Sequence, residues 1–274
     1  MHTSQQGTTA APRPARMIAV VGATGGCGSS TFAAALARTL RRTTGEATLV
    51  DLDVPGPGID VLLGVEGMPG ARWPDLSDAR GTVEGAGLLA ALPRWSAVPV
   101  LSASRHAPTP PQDAVVLDVT TALVRAGQRV VVDLPGAPAW GPAIRSLLAA
   151  CDAVVLLVPP SACGVAGALA CLGTLAALDV ADVHLVAGPP GPGRVDAAEV
   201  GRALGRPVVA TVARDARQPT AVERGDGPRT GRRTAAGRAA AQVLAALPAV
   251  PGTPASARRA TAGATVGAGV GADA

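Results

Sequence analysis

The segment Met17–Thr31 reads MIAVVGATGGCGSST and is the most informative part of this chain about its architecture. It reads as a short apolar strand, a loop with four glycines and the start of a helix at Ser29–Thr31. Glycines let backbone amides approach a phosphate closely, and a helix N-terminus adds the positive end of its dipole. This order predicts a phosphate-binding loop. Its candidate ligand residues are Gly22, Thr24, Gly25, Gly26, Cys27, Gly28, Ser29, Ser30 and Thr31.

The positive charge that such a loop normally carries is missing. In a working phosphate loop, a lysine just before a Ser or Thr neutralises the β- and γ-phosphates while the hydroxyl holds Mg²⁺. Here that pair is Ser29–Ser30, and all 24 basic residues of the chain are Arg. Losing an oriented lysine from a site that works by electrostatics costs several kcal/mol, or roughly 10³-fold in rate. With ATP and Mg²⁺ as candidate cofactors, we therefore expect hydrolysis to be weak or absent.

Outside this loop, short β-branched runs alternate with Ala- and Leu-rich stretches. The predicted strands are Met17–Val21, Ala47–Leu52, Val98–Ser102, Arg129–Leu134, Ala153–Val158, Val183–Ala187 and Pro207–Val212. The predicted helices are Ser30–Arg42, Ala86–Leu92, Gln112–Ala126, Gly141–Ala150, Gly164–Leu178, Asp196–Leu204 and Gly231–Leu247. This alternation predicts an α/β fold, a single doubly wound and mostly parallel sheet with helices on both faces, over residues 17–248.

Two acidic motifs follow predicted strands. They are TLVDLD at Thr48–Asp53 and VVVDLPG at Val130–Gly136. Ligands of open parallel sheets bind beyond the carboxyl ends of the strands, so both motifs should lie beside the glycine loop. An Asp after a strand is by itself more often a turn former, but two in this order behind a glycine loop are more specific. The candidate Mg²⁺ ligands are Ser30, Asp53 and Asp133.

Composition limits the other possibilities. Hydrophobic residues make up 48% of the chain and charged residues 16%, which suits a large core. Segments 1–16 and 249–274 lack apolar periodicity, and we expect both to be disordered. The four cysteines form no CxxC pair, which favours a reducing cytoplasm over a zinc site. The apolar run Ala162–Leu178 is short for a membrane span, and we interpret it as a buried helix.

Together these segments resemble the MinD/ParA family of deviant Walker A ATPases, whose loop reads KGGxGK[ST]. The matching residues here are Thr24 to Ser30, TGGCGSS, so every glycine is kept and both lysines are replaced. The resemblance gives Asp53 the role of positioning the attacking water and Asp133 that of the Walker B acid. Relatives carry an Asn after the strand to read adenine, whereas Ala187 and Gly188 stand here.

A narrower resemblance is to actinobacterial CpaE-like proteins, also called septum-site-determining proteins, which are encoded near secretion and Tad pilus genes. It is carried by GARWPDL at Gly70–Leu76, by Ala91–Arg94 and by Val100–Ser102. It implies a cytoplasmic spatial regulator that acts through protein partners and is recruited to the inner face of the membrane. A homodimer is compatible with this. Residues 251–274 contain no Leu, Ile, Phe or Trp, so we expect no direct membrane anchor.

Two alternatives stay open. In one, the chain is a slow ATPase whose missing lysine is replaced by an arginine of a partner or of this chain, such as the loop residues Arg72 or Arg105. In the other, it is a ParA-like DNA-associated partitioning protein that uses the arginines between Arg214 and Arg238. The part of the chain between the segments 1–16 and 249–274 has a net charge close to zero, so DNA is not the expected partner. Trp73, in the long segment Pro55–Arg80, either fills a gap in the aromatic-poor core or belongs to a partner surface.

Overall fold

The computed structural model describes residues 16–54, 56–79, 81–104, 109–180, 182–189 and 195–247. Apart from Arg16, the segments 1–16 and 249–274 lie outside the described residues, so their predicted disorder stays a prediction. Among the described residues, no helix combines the length and the apolar character needed to cross a bilayer.

One sheet of eight strands organises the described chain, in the order β3-β4-β2-β5-β1-β6-β7-β8. The strands are β1 Met17–Gly22, β2 Thr48–Asp51, β3 Arg94–Trp95, β4 Val98–Leu101, β5 Val130–Asp133, β6 Ala153–Val158, β7 Val183–Ala187 and β8 Val208–Thr211. All neighbours pair in parallel except β3, which forms an antiparallel hairpin with β4. The predicted doubly wound, mostly parallel sheet is confirmed.

Helices cover both faces of this sheet. They are α1 Ser29–Thr44, α2 Ile59–Leu63, α3 Gly85–Ala91, α4 Asp113–Arg125, α5 Pro142–Ala150, α6 Ala162–Ala176, α7 Ala197–Leu204, α8 Gln218–Glu223 and α9 Ala235–Ala246. Successive side chains of a strand point to opposite faces. In β1, Ile18 and Val20 therefore join one apolar core, while Ala19 and Val21 join the other.

Three short elements were not predicted from the sequence pattern. They are the two-residue strand β3, the five-residue helix α2 and the six-residue helix α8. The prediction of a buried helix over Ala162–Leu178 is wrong, because α6 buries one face only and the Leu169 side chain is 52% exposed. A helix made mostly of Ala and Gly loses little hydrophobic free energy on exposure, since each small side chain offers little apolar area.

The carboxyl ends of β2, β5 and β1 lie side by side in the middle of the sheet. Each of these strands is followed by a segment that the sequence marks as functional. The glycine loop follows β1, Asp53 follows β2, and Asp133 ends β5. The topology therefore brings the three motifs to one edge of the sheet, as expected for an open parallel sheet.

Candidate functional site

The glycine loop makes a tight turn from β1 into α1. Gly26 and Gly28 have left-handed φ angles of 70° and 94°, and Gly28 caps the helix without any side-chain hydrogen bond. A Cβ atom at Gly22 would lie 2.4 Å from the Cys27 Sγ atom, so a larger residue at this position cannot fit. These glycines satisfy the geometry of a phosphate cradle, and they also satisfy the turn itself.

A cavity of about 360 Å³ lies in front of this loop. It brings together the predicted loop residues and both acidic motifs. Its lining includes Gly22, Thr24, Gly25, Gly26, Gly28, Ser29, Ser30, Thr31, Asp51, Asp53, Asp133 and Gly136. One predicted loop residue, Cys27, is absent from this lining and borders a second cavity behind the loop. Burial raises the pKa of the Cys27 thiol, which makes it a packing group rather than a nucleophile.

Asp51 is a site residue that the sequence interpretation did not single out. It lies directly opposite Asp133 in the β2 and β5 register, and each residue is only 1% exposed. Its two carboxylate oxygens accept hydrogen bonds from the backbone amides of Asp53, at 2.9 Å, and Ile59, at 3.0 Å. The Asp51 side chain therefore fixes the segment that carries Asp53. The signal was present in the LVDLD motif as its first acid.

Burial opposes the ionisation of Asp51 and Asp133, which together we call the acidic centre. It raises the pKa of Asp51 from 3.8 to about 6, against the lowering effect of the two backbone hydrogen bonds. Burial also raises the pKa of Asp133 well above its usual value, and the neighbouring charge of Asp51 raises it further, although a hydrogen bond from Ser30 lowers it. Two carboxylates in a desolvated site favour a cation that compensates their charge.

The residues present fit Mg²⁺. The Asp133 Oδ1 atom is buried and has no hydrogen-bond partner, and the Ser30 hydroxyl bonds to the same carboxylate. No cluster of three or more His, Cys, Asp or Glu ligands forms within the described ranges. Mg²⁺ does not need one, since it is commonly held by one or two carboxylates, water and substrate phosphates. Ser30, Asp53 and Asp133 stay the predicted ligands, with Asp51 beside them.

Arg72 cannot supply the missing positive charge. Its guanidinium donates hydrogen bonds to the carbonyl oxygens of Val65, at 3.1 Å, and Gly70, at 3.2 Å, and its Nε atom lies 3.8 Å from a carboxylate oxygen of Asp60. Arg72 is 7% exposed. It is thus held inside its own loop and is not free to reach a phosphate. Arg105, the other arginine considered, lies outside the described residues.

Trp73 fills the core rather than a partner surface, because it is only 1% exposed. Its indole Nε1 atom donates a hydrogen bond of 2.7 Å to the backbone oxygen of Asp51. This hydrogen bond holds the end of β2. It also connects the long segment after β2, which contains Trp73, to the acidic centre.

A second cavity of about 480 Å³ lies on the other side of the glycine loop. Its lining includes Gly26, Gly28, Arg214, Gln218 and Arg229. Arg229 pairs with the Asp215 carboxylate at 2.9 Å, and the buried Gln218 Nε2 atom has no hydrogen-bond partner. The arginines between Arg214 and Arg238 do not share one cavity, since Arg232 and Arg238 line a separate groove.

Comparison with known proteins agrees with this geometry. A family model described as ParA, NUBPL iron-transfer P-loop NTPase, matches residues 13–83. An uncharacterized protein of Mycobacterium tuberculosis, found in two strains, is 38% identical over 235 residues, which cover 85% of this chain. Those residues make up 64% of the relative, so this chain spans less than two thirds of its length.

Solved structures give the same fold. The ParA family ATPase of Chlorobium tepidum superposes with a TM-score of 0.68 at 16% identity, over 85% of this chain and 99% of that one. The MinC:MinD cell division complex of Aquifex aeolicus gives 0.67 at 16% identity, over 87% and 99%. The septum site-determining protein MinD of Pyrococcus horikoshii, complexed with Mg-ADP, gives 0.61 at 16% identity, over 84% and 94%.

Proposed function

We propose that this chain, which has the ParA/MinD-type P-loop NTPase fold, is a spatial regulator that binds nucleotide but hydrolyses it poorly or not at all. One observation carries the proposal. The glycine loop has neutral Thr24 and Ser29 where the resembling family has lysines, yet the same cavity keeps the buried acids Asp51 and Asp133. The residues that would hold Mg²⁺ are therefore present, whereas the lining of this cavity contains no basic side chain that would neutralise a phosphate.

Such a site suits nucleotide binding better than nucleotide hydrolysis. Backbone amides at the loop and the start of α1 would hold phosphate oxygens through dipoles, and Mg²⁺ held by Asp133 and Ser30 would add the positive charge that the side chains lack. Hydrolysis needs more, because the transferring phosphoryl group must be stabilised by oriented cations in its transition state. We therefore expect Mg²⁺-dependent nucleotide binding with little turnover.

The biological role follows from the resemblance to CpaE-like and MinD proteins. In this proposal the chain stays in the cytoplasm, is recruited to the inner face of the membrane by partners and positions either the septum or a Tad-type pilus and secretion apparatus. The MinD relative that was solved with MinC supports contact with a partner protein. Nucleotide occupancy would then change the shape of a docking surface, and a homodimer could form across the nucleotide cavity.

Localisation in the native cells tests the role. A fluorescent fusion of the full chain should gather at division sites or at the sites of pilus and secretion machinery. The Asp133→Asn variant should lose this pattern because it cannot hold Mg²⁺ and nucleotide. Substitution of the exposed Asp226, which is absent from the lining of that cavity, by Asn is the matched control. A diffuse wild-type signal would rule the role out.

A second candidate, a slow ATPase with a substitute arginine, is favoured by the position of Arg214. This residue lines the cavity that also contains Gly26, Gly28 and Thr31 of the glycine loop. The neighbouring Asp215 is already occupied by Arg229, so it does not compete for the Arg214 guanidinium. Arg214 is absent from the lining of the cavity in front of the loop, so it could act only on a phosphate group that reaches past Gly26 and Gly28.

Single-turnover hydrolysis separates the two candidates. If Arg214 is the substitute, Arg214→Gln should lower the hydrolysis rate by about 10³-fold, the scale known for arginine fingers. Arg217→Gln, three residues along the same loop and absent from the lining of this cavity, should leave the rate unchanged. Equal rates for wild type and Arg214→Gln would rule out Arg214 as the substitute.

A further inference from the structure

The helix pair α1 and α9 carries an unusual surplus of positive charge. Helix α1 contains Arg38, Arg41 and Arg42 and no acidic residue. The segment 230–247, which includes α9, adds Arg232, Arg233 and Arg238 and again has no acidic residue. The rest of the chain mixes both signs, so this surface is distinct from an ordinary solvated helix face.

A groove of about 530 Å³ runs between these helices. Its polar lining consists of Arg42, Arg232, Arg238, Thr39, Thr43 and Gln242, which we call the arginine groove. The hydroxyl groups of Thr39 and Thr43 already donate to backbone oxygens of α1. The donors that face a ligand are therefore the guanidinium groups and the Gln242 amide, and a guanidinium contains several N–H donors and no acceptor atom. The groove therefore offers a cluster of donors to an anionic ligand.

The charges of the arginine groove are not neutralised within the described part of the chain. The ion pairs found there lie elsewhere, at Arg72 with Asp60, His184 with Asp182 and Arg229 with Asp215. The hydrogen bonds of these arginines go to neutral oxygens instead. Arg42 donates to the Thr39 hydroxyl at 3.3 Å, and Arg238 donates to the backbone oxygen of Arg233. Arg38, beside the groove, donates to Thr230 at 3.1 Å and lies over the ring of Trp95.

The arginines also act on one another. Partial burial lowers the pKa of the Arg42 guanidinium, and the positive charges of Arg38 and Arg232 lower it further. Mutual repulsion of this kind destabilises the folded chain slightly, and an anion in the groove would remove it.

We propose that the arginine groove binds an extended, carboxylate-rich segment of a partner protein. Guanidinium groups pair with carboxylates through two parallel hydrogen bonds, and such segments carry carboxylates at regular intervals along a strand. The groove suits a peptide better than nucleic acid. Its lining contains no aromatic side chain on which single-stranded bases could stack.

This docking site is separate from the nucleotide cavity. Arg42 lies thirteen residues after Ser29 on α1, which corresponds to about 20 Å along the helix axis. The two cavities share no lining residue, so binding at each can be tested without the other. Because α1 begins at the glycine loop and carries the groove arginines, one rigid element joins both sites.

Fluorescence anisotropy of a labelled twelve-residue glutamate peptide tests this inference on the full chain. Wild type should bind the peptide, and the double variant Arg232→Glu with Arg238→Glu should weaken binding by at least about tenfold, because two favourable charge pairs become repulsive. The matched control is Arg202→Glu with Arg206→Glu, which makes the same charge change at exposed arginines of another cavity. It should change the affinity by less than about twofold, a long-range effect that salt screens.

A milder variant guards against loss of folding. Arg42→Gln should weaken peptide binding and keep the far-ultraviolet circular dichroism of wild type. Equal losses in the groove and control variants would overturn the inference, as would an affinity of wild type that none of the variants changes. A duplex DNA of matched length serves as competitor. If DNA binds in a groove-dependent way where the peptide does not, the acidic-peptide assignment is overturned and the groove is a nucleic-acid site.

Discussion

Asp51 and Asp133 face each other in register on neighbouring parallel strands, and both carboxyl groups are sealed from solvent. In a parallel sheet such a pair is costly, because desolvation and mutual repulsion both oppose ionisation. Its position beside a glycine loop explains why the fold retains it. A divalent cation shared with bound phosphates would offset the cost, and nothing else in the described part of the cavity carries positive charge.

The first prediction concerns pH and stability. The pKa of Asp51 is about 6 in the folded chain, against 3.8 for the same carboxyl group without the effects of folding. As pH rises through this window, the unfolded chain releases the proton while the folded chain keeps it, so the free energy of unfolding falls. Asp133 extends this fall to higher pH. Urea denaturation at pH 5 and pH 8 measures it, and Mg²⁺ should restore stability at pH 8.

Asp133→Asn is the matching variant. It removes the buried charge, so its free energy of unfolding at pH 8 without Mg²⁺ should exceed that of wild type by on the order of 1 kcal/mol. Mg²⁺ should no longer stabilise it. If the variant kept the wild-type pH dependence and its response to Mg²⁺, Asp133 would not be part of a metal site.

The second prediction concerns the lysine that the glycine loop lacks. Ser29→Lys places an ammonium group at the start of α1, where the resembling family has its phosphate-binding lysine. The affinity for Mg-ATP should rise by at least about tenfold, since a charge-assisted hydrogen bond to phosphate is added. Equilibrium binding of a fluorescent ATP analogue measures this. Ser29→Gln is the control of similar length without charge, and it should not improve binding. An unchanged affinity in Ser29→Lys would mean that the loop does not hold phosphate.

The third prediction tests the support of the acidic centre. Trp73→Phe removes the indole hydrogen bond to the Asp51 backbone and leaves that buried oxygen unpaired, which should cost about 1–2 kcal/mol of stability. The stabilisation by Mg²⁺ should also shrink, because Asp51 and Asp53 lose their fixed position. Trp95→Phe, an equally buried tryptophan in the other core, should lower stability without changing the Mg²⁺ effect. Identical responses of the two variants would assign Trp73 a packing role only.

The fourth prediction separates Arg72 from the phosphate site. Arg72→Met leaves Asp60 as a buried, uncompensated charge and should destabilise the chain by about 3–5 kcal/mol. Combining it with Asp60→Leu should recover much of this loss, because neither charge then remains. Thermal denaturation of both variants measures the effect. Nucleotide affinity of the double variant should equal that of wild type, and a selective loss of affinity would return Arg72 to the site.

The sequence predicted the strands of the central sheet well, because long apolar runs between glycine loops have few alternative structures. The three motifs met at one edge as the topology requires. Asp51 was missed because the alternation within LVDLD does not show which acid faces Asp133, a relationship that only the β2 and β5 register defines. The sequence also could not show that the Arg72 side chain is held inside its own loop, because the irregular fold of that loop brings the carbonyl partners to it.

Helix α6 illustrates a different limit. Its sequence is apolar throughout, so hydrophobicity indicated a buried helix, yet its small residues leave one face exposed. The opposite case is Trp73, for which burial and a partner surface were equally compatible with the sequence. A single large side chain in a glycine-rich segment carries no periodicity, and only the packed structure shows that it fills the core beneath Asp51.

Titration of the full chain with ATP, in the presence and absence of Mg²⁺ and with single-turnover hydrolysis followed in the same samples, shows whether the site binds nucleotide without turning it over. We predict binding that needs Mg²⁺, that is lost in Asp133→Asn, and that is accompanied by hydrolysis roughly 10³-fold slower than in a lysine-containing loop. Tight binding without Mg²⁺, or hydrolysis at the usual rate of P-loop enzymes, would contradict it.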